Sequence, residues 1–339
     1  MENYEVLFLV DSGIGNALEA FYALEYCMFA NVKTGIFLNH ISKSFQEYAR
    51  DCYGDKVILS SVNNVKCKHL IHSFTFQEKI TVPFETYHYV AADYFSTNVL
   101  CETEQYLSIV KALFPCDFQS YTLTKLKETL TDKVIAAEAE QKTVMYPGSR
   151  PENPYKRWGK FRELEHSLGL ERCLYLGGLG ELDFQYSYRY KKIVAKIFPQ
   201  AILNKNSFWR FCKSLKLLLP YSHFKGIENQ YNSYFNYFNW YELVALLKRC
   251  KNFVGNDGGI SHLAGAVGAK GAVIFGPTSV NKNKTYNPDL KPVYKKTFCS
   301  PCQFQVGGIG FEKYMINCPF GVKCLNNITV KEILEVIES

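Results

Sequence analysis

The chain has 339 residues, which is enough for two domains of ordinary size. Its hydrophobic content of 47% and charged content of 21% are typical of a soluble globular protein. The formal net charge of +7 suits anionic partners, but it is diffuse and comes with no basic helix or RNA-binding signature, so nucleic acid is not an expected partner.

The sequence gives no sign of a segment that crosses a membrane. No apolar run approaches the ~20 residues of a membrane span. The first residues carry no basic region, and the apolar run 6–10 is too short for the core of a signal peptide. Of twelve cysteines, those scattered along the chain are typical of reduced thiols. We expect a cytoplasmic protein, with contact at the inner membrane surface as an open alternative.

Residues 1–140 are predicted to form one α/β domain. The apolar run 6–10 ends in a glycine-rich turn at 11–16, after which apolar residues recur at helical spacing. This predicts a strand–turn–helix unit, although many such turns serve only helix–strand packing. Further strands are predicted at 35–38, 56–59, 69–74 and 87–92, and helices at 45–53 and 106–113.

Residues 141–325 are predicted to form a second α/β domain. Its predicted strands are 143–146 and 173–176, and its predicted helices are 161–168, 184–198 and 240–249. A basic loop at 150–158 precedes the first of these helices. The stretch 208–241 is dense in aromatic residues, which can stack on sugars, but we favour a role in the core or an interface.

Residues 251–278 are predicted to form the central element, a strand, a turn, a helix and a strand. Asp257, Gly258, Gly259 and His262 crowd onto the N-terminal end of the helix. Free backbone N–H groups and the positive end of the helix dipole make this a suitable place for a phosphate. The alternative is a plain structural corner, in which the aspartate caps the helix and the histidine belongs to the core.

Four cysteines near the C-terminus have the spacing of a metal site. Cys299, Cys302, Cys318 and Cys324 can close a tetrahedral site of four thiolates, which suits zinc or iron in a structural role. The alternative is four buried thiols without a metal. A last helix is predicted within 326–339.

The pattern D-x-G-x-x-H followed by F-G-P-T resembles the nucleotide-sugar signature of heptosyltransferase-type glycosyltransferases, family 9. The match departs at Gly258, where the family usually has serine or threonine. Pro147-Gly148-Ser149 and the pair Lys156 and Trp158 also match. The resemblance implies a GT-B fold, with two Rossmann-like domains facing a cleft. It implies a donor site made by Ser149, Lys156, Glu181, Asp257, Gly258, Gly259, His262 and Thr278.

The acceptor side departs from the family at one position. The first turn of the family reads G-x-G-D, and its aspartate is the expected base, but here the position is Asn16. An amide cannot accept a proton at neutral pH. The candidates for the catalytic site are therefore Asp11, Asn16 and Glu19, with Asp11 placed first as base.

The expected reaction is inverting transfer of a sugar, heptose from ADP-heptose, to a hydroxyl of a surface glycan such as lipopolysaccharide core. Catalysis by this route requires no cofactor. The cysteine layout resembles the autotransporter heptosyltransferases, which hold an iron and glycosylate protein, so a protein acceptor is the second hypothesis. A non-catalytic nucleotide-sugar-binding protein is the third, and a homo-oligomer is open in each case.

Overall fold

Two parallel β-sheets flanked by helices make up the described part of the chain. The computed structural model describes residues 2–11, 13–58, 62–74, 76, 78–90, 100–149, 154–177, 233–235, 237–302, 318 and 320–339. Within these ranges, no helix has the length and apolar character needed to cross a membrane.

The first sheet has five parallel strands in the order β3-β2-β1-β4-β5. Its strands are β1 (Glu2–Asp11), β2 (Thr34–Asn39), β3 (Val57–Ile58), β4 (Val65–Ser73) and β5 (Thr86–Val90). Its helices are α1 (Ile14–Phe29), α2 (Lys43–Tyr53), α3 (Glu102–Leu113) and α4 (Asp132–Ala136). The central strand β1 is buried over its second half because helices cover both faces of a parallel sheet.

The second sheet has six parallel strands in the order β11-β10-β9-β6-β7-β8. Its strands are β6 (Thr143–Tyr146), β7 (Cys173–Gly177), β8 (Ser233–Phe235), β9 (Asn252–Asn256), β10 (Gly271–Phe275) and β11 (Leu290–Tyr294). Its helices are α5 (Phe161–Leu168), α6 (Trp240–Arg249), α7 (Gly259–Ala266), α8 (Val280–Asn283), α9 (Lys323–Asn326) and α10 (Val330–Ile337). Short 3₁₀ turns occupy Gly54–Lys56, Val62–Asn64, Ala139–Gln141, Pro154–Lys156 and Leu170–Arg172.

Several boundaries differ from those predicted. β1 begins at Glu2 because its polar start pairs with β4, with Glu2 opposite Val65. α3 begins four residues early, at Glu102, because Glu104 accepts a hydrogen bond from the backbone N–H of Cys101 and caps the helix. The predicted helix 184–198 and the aromatic stretch up to residue 232 lie outside the described residues.

The domains meet where α1 of the first packs on α7 of the second. One apolar cluster is continuous through both domains and contains Leu24 and Leu263. A Cβ added at Gly15 would lie 3.0 Å from Cδ2 of His262. The first βα turn of the first domain therefore lies directly against the turn between β9 and α7 of the second, at the carboxyl ends of the two sheets.

Candidate functional site

The turn after β9 is organised by the buried side chain of Asn256. Its amide nitrogen donates to the carbonyl oxygen of Pro147 at 2.7 Å, and its amide oxygen accepts from the backbone N–H of Trp158 at 3.0 Å. Its own carbonyl oxygen accepts from the hydroxyl of Ser261 at 2.6 Å. One residue thus joins the loop after β6, the loop before α5 and the first turn of α7.

The carboxylate of Asp257 is the centre of the site and is only 4% exposed. Lys156 Nζ lies 2.8 Å from Oδ2, and Asn283 Nδ2 donates to the same oxygen at 3.3 Å. His262 Nε2 lies 3.9 Å from Oδ1. Burial alone would raise the pKa of Asp257, but Lys156, His262 and the hydroxyl of Thr278 lower it below its ordinary value. The aspartate is therefore ionised and paired with a lysine.

The turn at residues 257–258, between β9 and α7, carries the predicted donor site and is called the donor turn. His262 connects this turn to the first domain. Its Nδ1 lies 3.6 Å from Oε1 of Glu19 on α1. Burial lowers the pKa of His262 to about 4, against the opposing effect of Asp257. The imidazole is consequently neutral near pH 7 and provides one donor and one acceptor between two carboxyl groups.

Ser149 and Thr278 are buried residues with hydroxyl groups, and they lie in the same part of the site as Asp257. Arg157 fixes Ser149, because its Nε donates to the hydroxyl and its terminal nitrogen to the backbone carbonyl, both at 3.0 Å. The Thr278 hydroxyl finds no partner of ordinary hydrogen-bond geometry within the part of the chain described here, although it lies close enough to Asp257 to lower its pKa.

Two adjacent glycines let the turns of the two domains approach. A Cβ at Gly258 would lie 3.3 Å from the ring of Tyr146, which occupies the space that a serine or threonine would need. A Cβ at Gly259 would lie 3.3 Å from Cβ of Ile14 in the first domain. The departure at Gly258 therefore accompanies a bulky tyrosine at the end of β6.

On the predicted acceptor side, Asp11 is the last residue of β1 and Asn16 lies in the first turn of α1. Asn16 Nδ2 donates to the backbone carbonyl of Asp11 at 3.1 Å, which a carboxylate could not do. The Asp11 carboxylate accepts from Asn39 Nδ2 at 3.2 Å and lies 3.1 Å from His40 Nδ1. Sequence analysis did not single out His40, although it follows β2 directly in the chain.

Glu19 lies deeper, in the domain interface, with two charged residues that the sequence did not point to. Burial and the nearby carboxylate of Glu102 raise the pKa of Glu19 well above its ordinary value. Glu102 in turn pairs with Lys282 at 3.0 Å, and both side chains are buried. Lys282 and Asn283 follow the F-G-P-T segment closely, which was the one available signal for them. Glu181 of the predicted donor site lies outside the described residues.

The four C-terminal cysteines gather near the F-G-P-T turn. The backbone N–H of Cys302 donates to the carbonyl oxygen of Pro277 at 2.9 Å. Burial, together with the neighbouring thiols of Cys302, Cys299 and Cys318, raises the pKa of Cys324 to about 12. Four thiols are a donor set that zinc or iron accepts. Even so, no group of three ligands is placed to hold a metal ion among the residues that the structure describes.

Two parallel-sheet α/β domains that meet at their carboxyl-end turns define the GT-B class of glycosyltransferases, as predicted. Residues 237–307 match the profile of glycosyltransferase family 9 (heptosyltransferase). This segment contains the donor turn, so the resemblance is confirmed there, and over these residues the chain is similar to glycosyltransferases of this family.

Solved structures of this type are similar over the whole chain. Heptosyltransferase II of Escherichia coli, an ADP-heptose lipopolysaccharide heptosyltransferase, aligns with 100% of this chain and 98% of its own at 13% identity and a TM-score of 0.54. A family 9 glycosyltransferase of Veillonella parvula aligns with 100% and 97% at 12% identity and a TM-score of 0.57. The dodecameric iron-containing heptosyltransferase TibC of enterotoxigenic E. coli, in complex with ADP-D-β-D-heptose, aligns with 100% and 76% at 15% identity and a TM-score of 0.55. At these identities the likeness shows the fold, and no curated protein sequence matches the chain.

Proposed function

We propose that the protein transfers heptose from ADP-heptose, with inversion, to a hydroxyl group of a surface glycan such as lipopolysaccharide core. The observation that carries the proposal is the buried pair of Lys156 and Asp257 at the N-terminal end of α7, pressed against the first turn of the opposite domain. A donor bound there would meet an acceptor entering from the first domain.

The donor site is suited to a diphosphate. The first backbone N–H groups of α7 lack partners within the helix and point toward its N-terminal end. Lys156 lies at that end and is a mobile cation that can turn from Asp257 to a phosphate oxygen. Ser149 and Thr278 add hydroxyl groups, and Glu181 remains a candidate for binding the donor sugar.

The reaction requires a base and a stabilised leaving group. As the acceptor oxygen attacks the anomeric carbon, the bond to the diphosphate breaks, and negative charge develops on the departing ADP. Lys156 and the N-terminal end of α7 can stabilise that charge without rearrangement. The catalytic candidates on the acceptor side are Asp11, Asn16 and Glu19, and we place the deprotonation at the end of β1 where Asp11 lies.

The first experiment is a thermal-shift and calorimetric comparison of ADP-, GDP- and UDP-heptose. A ligand that binds only the folded protein raises its melting temperature. We expect a shift with ADP-heptose that Asp257→Ala abolishes and that the exposed control Asp55→Ala retains. Binding without transfer to any acceptor would favour a non-catalytic nucleotide-sugar-binding protein, and no binding at all would contradict the donor site.

The cysteine segment supports a second candidate acceptor, a protein hydroxyl. TibC, which aligns with the whole of this chain, is an iron-containing heptosyltransferase. In this chain, the thiols of Cys299, Cys302 and Cys318 lie close enough to Cys324 to raise its pKa. We propose that Cys299, Cys302, Cys318 and Cys324 hold one structural zinc or iron ion. Elemental analysis of the purified protein should give about one metal per chain, lost in Cys302→Ser and retained in Cys52→Ser.

The remaining proposals concern location and assembly. We propose a cytoplasmic enzyme that works at the inner surface of the membrane, where a lipid-linked acceptor would be met. Because TibC is dodecameric, a homo-oligomer is the assembly to test, and light scattering of the purified chain would separate it from a monomer.

A further inference from the structure

The carboxyl ends of β1 and β2 hold a pair of side chains that resembles a catalytic dyad. Asp11 and Asn39 are register partners in the two strands, and His40 follows Asn39. His40 has a φ of 49°, a left-handed conformation that turns its side chain back toward β1. Its Nδ1 lies 3.1 Å from each carboxylate oxygen of Asp11.

The hydrogen bonds define which ring nitrogen carries the proton. A carboxylate only accepts hydrogen bonds, so we assign the proton to Nδ1, which donates to Asp11. Asn39 Nδ2 also lies 3.1 Å from Nδ1, and in this assignment it donates to Asp11 Oδ2 instead. Nε2 then has a free electron pair and is the basic atom of the ring. The His40 side chain is 64% exposed, whereas that of Asp11 is 6% exposed. The carboxylate is therefore the buried orienting group, and the imidazole is the group that a substrate can reach.

The pair also lies beside the donor turn. Asn16 donates to the backbone carbonyl oxygen of Asp11, and the preceding Gly15 packs against His262 of the second domain. The dyad therefore stands at the base of a turn of the first domain that contacts the donor turn. Because Asp11 is nearly buried and already accepts from Asn39, it is the less accessible of the two candidate bases.

We propose that Nε2 of His40, oriented by Asp11, is the general base for the acceptor hydroxyl. This rests on the proposed function and assigns Asp11 a positioning role. Nε2 takes the proton of the acceptor hydroxyl, and the oxygen forms a bond to the anomeric carbon. The electron pair of the broken sugar–phosphate bond leaves with ADP, and the imidazolium is stabilised by Asp11. His40 would thus provide the general base that is missing at the Asn16 position, where an amide cannot accept a proton.

Among the described residues, the ionisable groups facing His40 are Asp11 from β1 and Glu78 from the loop after β4. The Glu78 carboxylate lies 3.7 Å from Nε2. The hydrogen bond to Asp11 and its charge raise the pKa of His40 above its ordinary value, and Glu78 contributes in the same direction. Turnover should therefore increase with pH as His40 loses its proton. In Asp11→Asn, the rise of turnover with pH should occur at lower pH and reach a lower maximum. In Glu78→Gln, the rise should shift less.

The test uses the full-length protein with ADP-heptose, heptose-free lipopolysaccharide as acceptor, and ADP release as the readout. His40→Gly and His40→Asn both suit the left-handed backbone, so they should fold and bind ADP normally. Both should lower kcat by about 10²- to 10⁴-fold and leave the KM for ADP-heptose nearly unchanged. His166→Ala, an exposed histidine on α5, is the matched control and should retain full activity.

Added imidazole should restore part of the activity of His40→Gly, which a purely structural role would not allow. Retention of kcat within about threefold in both His40 variants would overturn the assignment. The same holds for a loss confined to KM or for an unchanged pH profile in Asp11→Asn. A wild-type protein that releases no ADP would instead contradict the proposed function, and with it this assignment.

Discussion

The ion pair between Lys156 and Asp257 allows stability and donor binding to be separated in one experiment. Removing the positive charge with Lys156→Met leaves a carboxylate that is 4% exposed. At 2.8 Å and an effective dielectric constant of about 20, the gross attraction is about 6 kcal/mol. Desolvation of both ions cancels much of it, but breaking a buried pair on one side still costs about 3–5 kcal/mol.

We expect the lower end of that range for Lys156→Met, because Asn283 still donates to the carboxylate. Asp257→Asn should cost a similar amount, since the lysine is only 12% exposed. The double variant carries neither uncompensated charge, so its unfolding free energy should recover most of the loss. Urea unfolding or melting temperature would measure this coupling, at about 2–4 °C per kcal/mol for domains of this size.

Donor affinity should behave differently from stability. A charge-assisted hydrogen bond to the diphosphate is worth about 1.5–3 kcal/mol, so Lys156→Met should weaken ADP binding by roughly 10- to 150-fold. The double variant should remain at least as weak, because it also lacks the cation. Calorimetric titration with ADP tests this. If affinity recovered together with stability in the double variant, the lysine would be a structural partner only and the donor-site reasoning would be refuted.

Four further predictions concern side chains at the domain interface. His262 has a folded pKa of about 4, below the ordinary 6.5, so about 3 kcal/mol of stability present above pH 6.5 should be lost as the pH falls toward 4. His262→Gln should flatten that part of the pH–stability curve, and an unchanged curve would contradict the assignment. Glu19 has a raised folded pKa, so its contribution to stability is lost as pH rises, and Glu19→Gln should be more stable than wild type in alkali. Glu102→Gln removes the carboxylate partner of Lys282, which keeps its contact with Asn283 Oδ1, so the loss should lie near the lower end of about 3–5 kcal/mol. Gly15→Ala should slow transfer with little change in melting temperature, because its Cβ would press on His262; an unchanged rate would show that the turns are not held in contact.

The donor turn could be predicted because its pattern is local. Glycines, an acidic residue and apolar helical spacing stand within about twenty residues, so chain geometry alone brings them together. The family resemblance then added Lys156 from a hundred residues away, and its amine lies 2.8 Å from Asp257. Where the motif was contiguous or shared with a known family, the sequence was sufficient to predict which residues lie together, and their role in donor binding stays a prediction.

The partners that complete the site were not predictable in the same way. Glu102, Lys282 and Asn283 come together only through the packing of α3 and α8 on the domain interface. Sequence analysis could identify charged residues there but not their burial. Asn16 shows a related limit, since it was interpreted as a lost base, whereas its amide forms a hydrogen bond to Asp11 that only a donor can make.

The interface charges follow an order that suits a closed active site. Lys156 with Asp257 forms one ion pair, and Lys282 with Glu102 forms another. Between them lie His262, neutral because burial lowers its pKa, and Glu19, whose pKa is raised by burial and by Glu102. Each end of this row of side chains is therefore an ion pair in which the charges compensate. The middle of the row, where the two domains touch, carries the least charge. A bound diphosphate would add negative charge only at the end where Lys156 pairs with Asp257. Because Lys156 is the cation at that end, donor binding and domain contact should be coupled through this lysine.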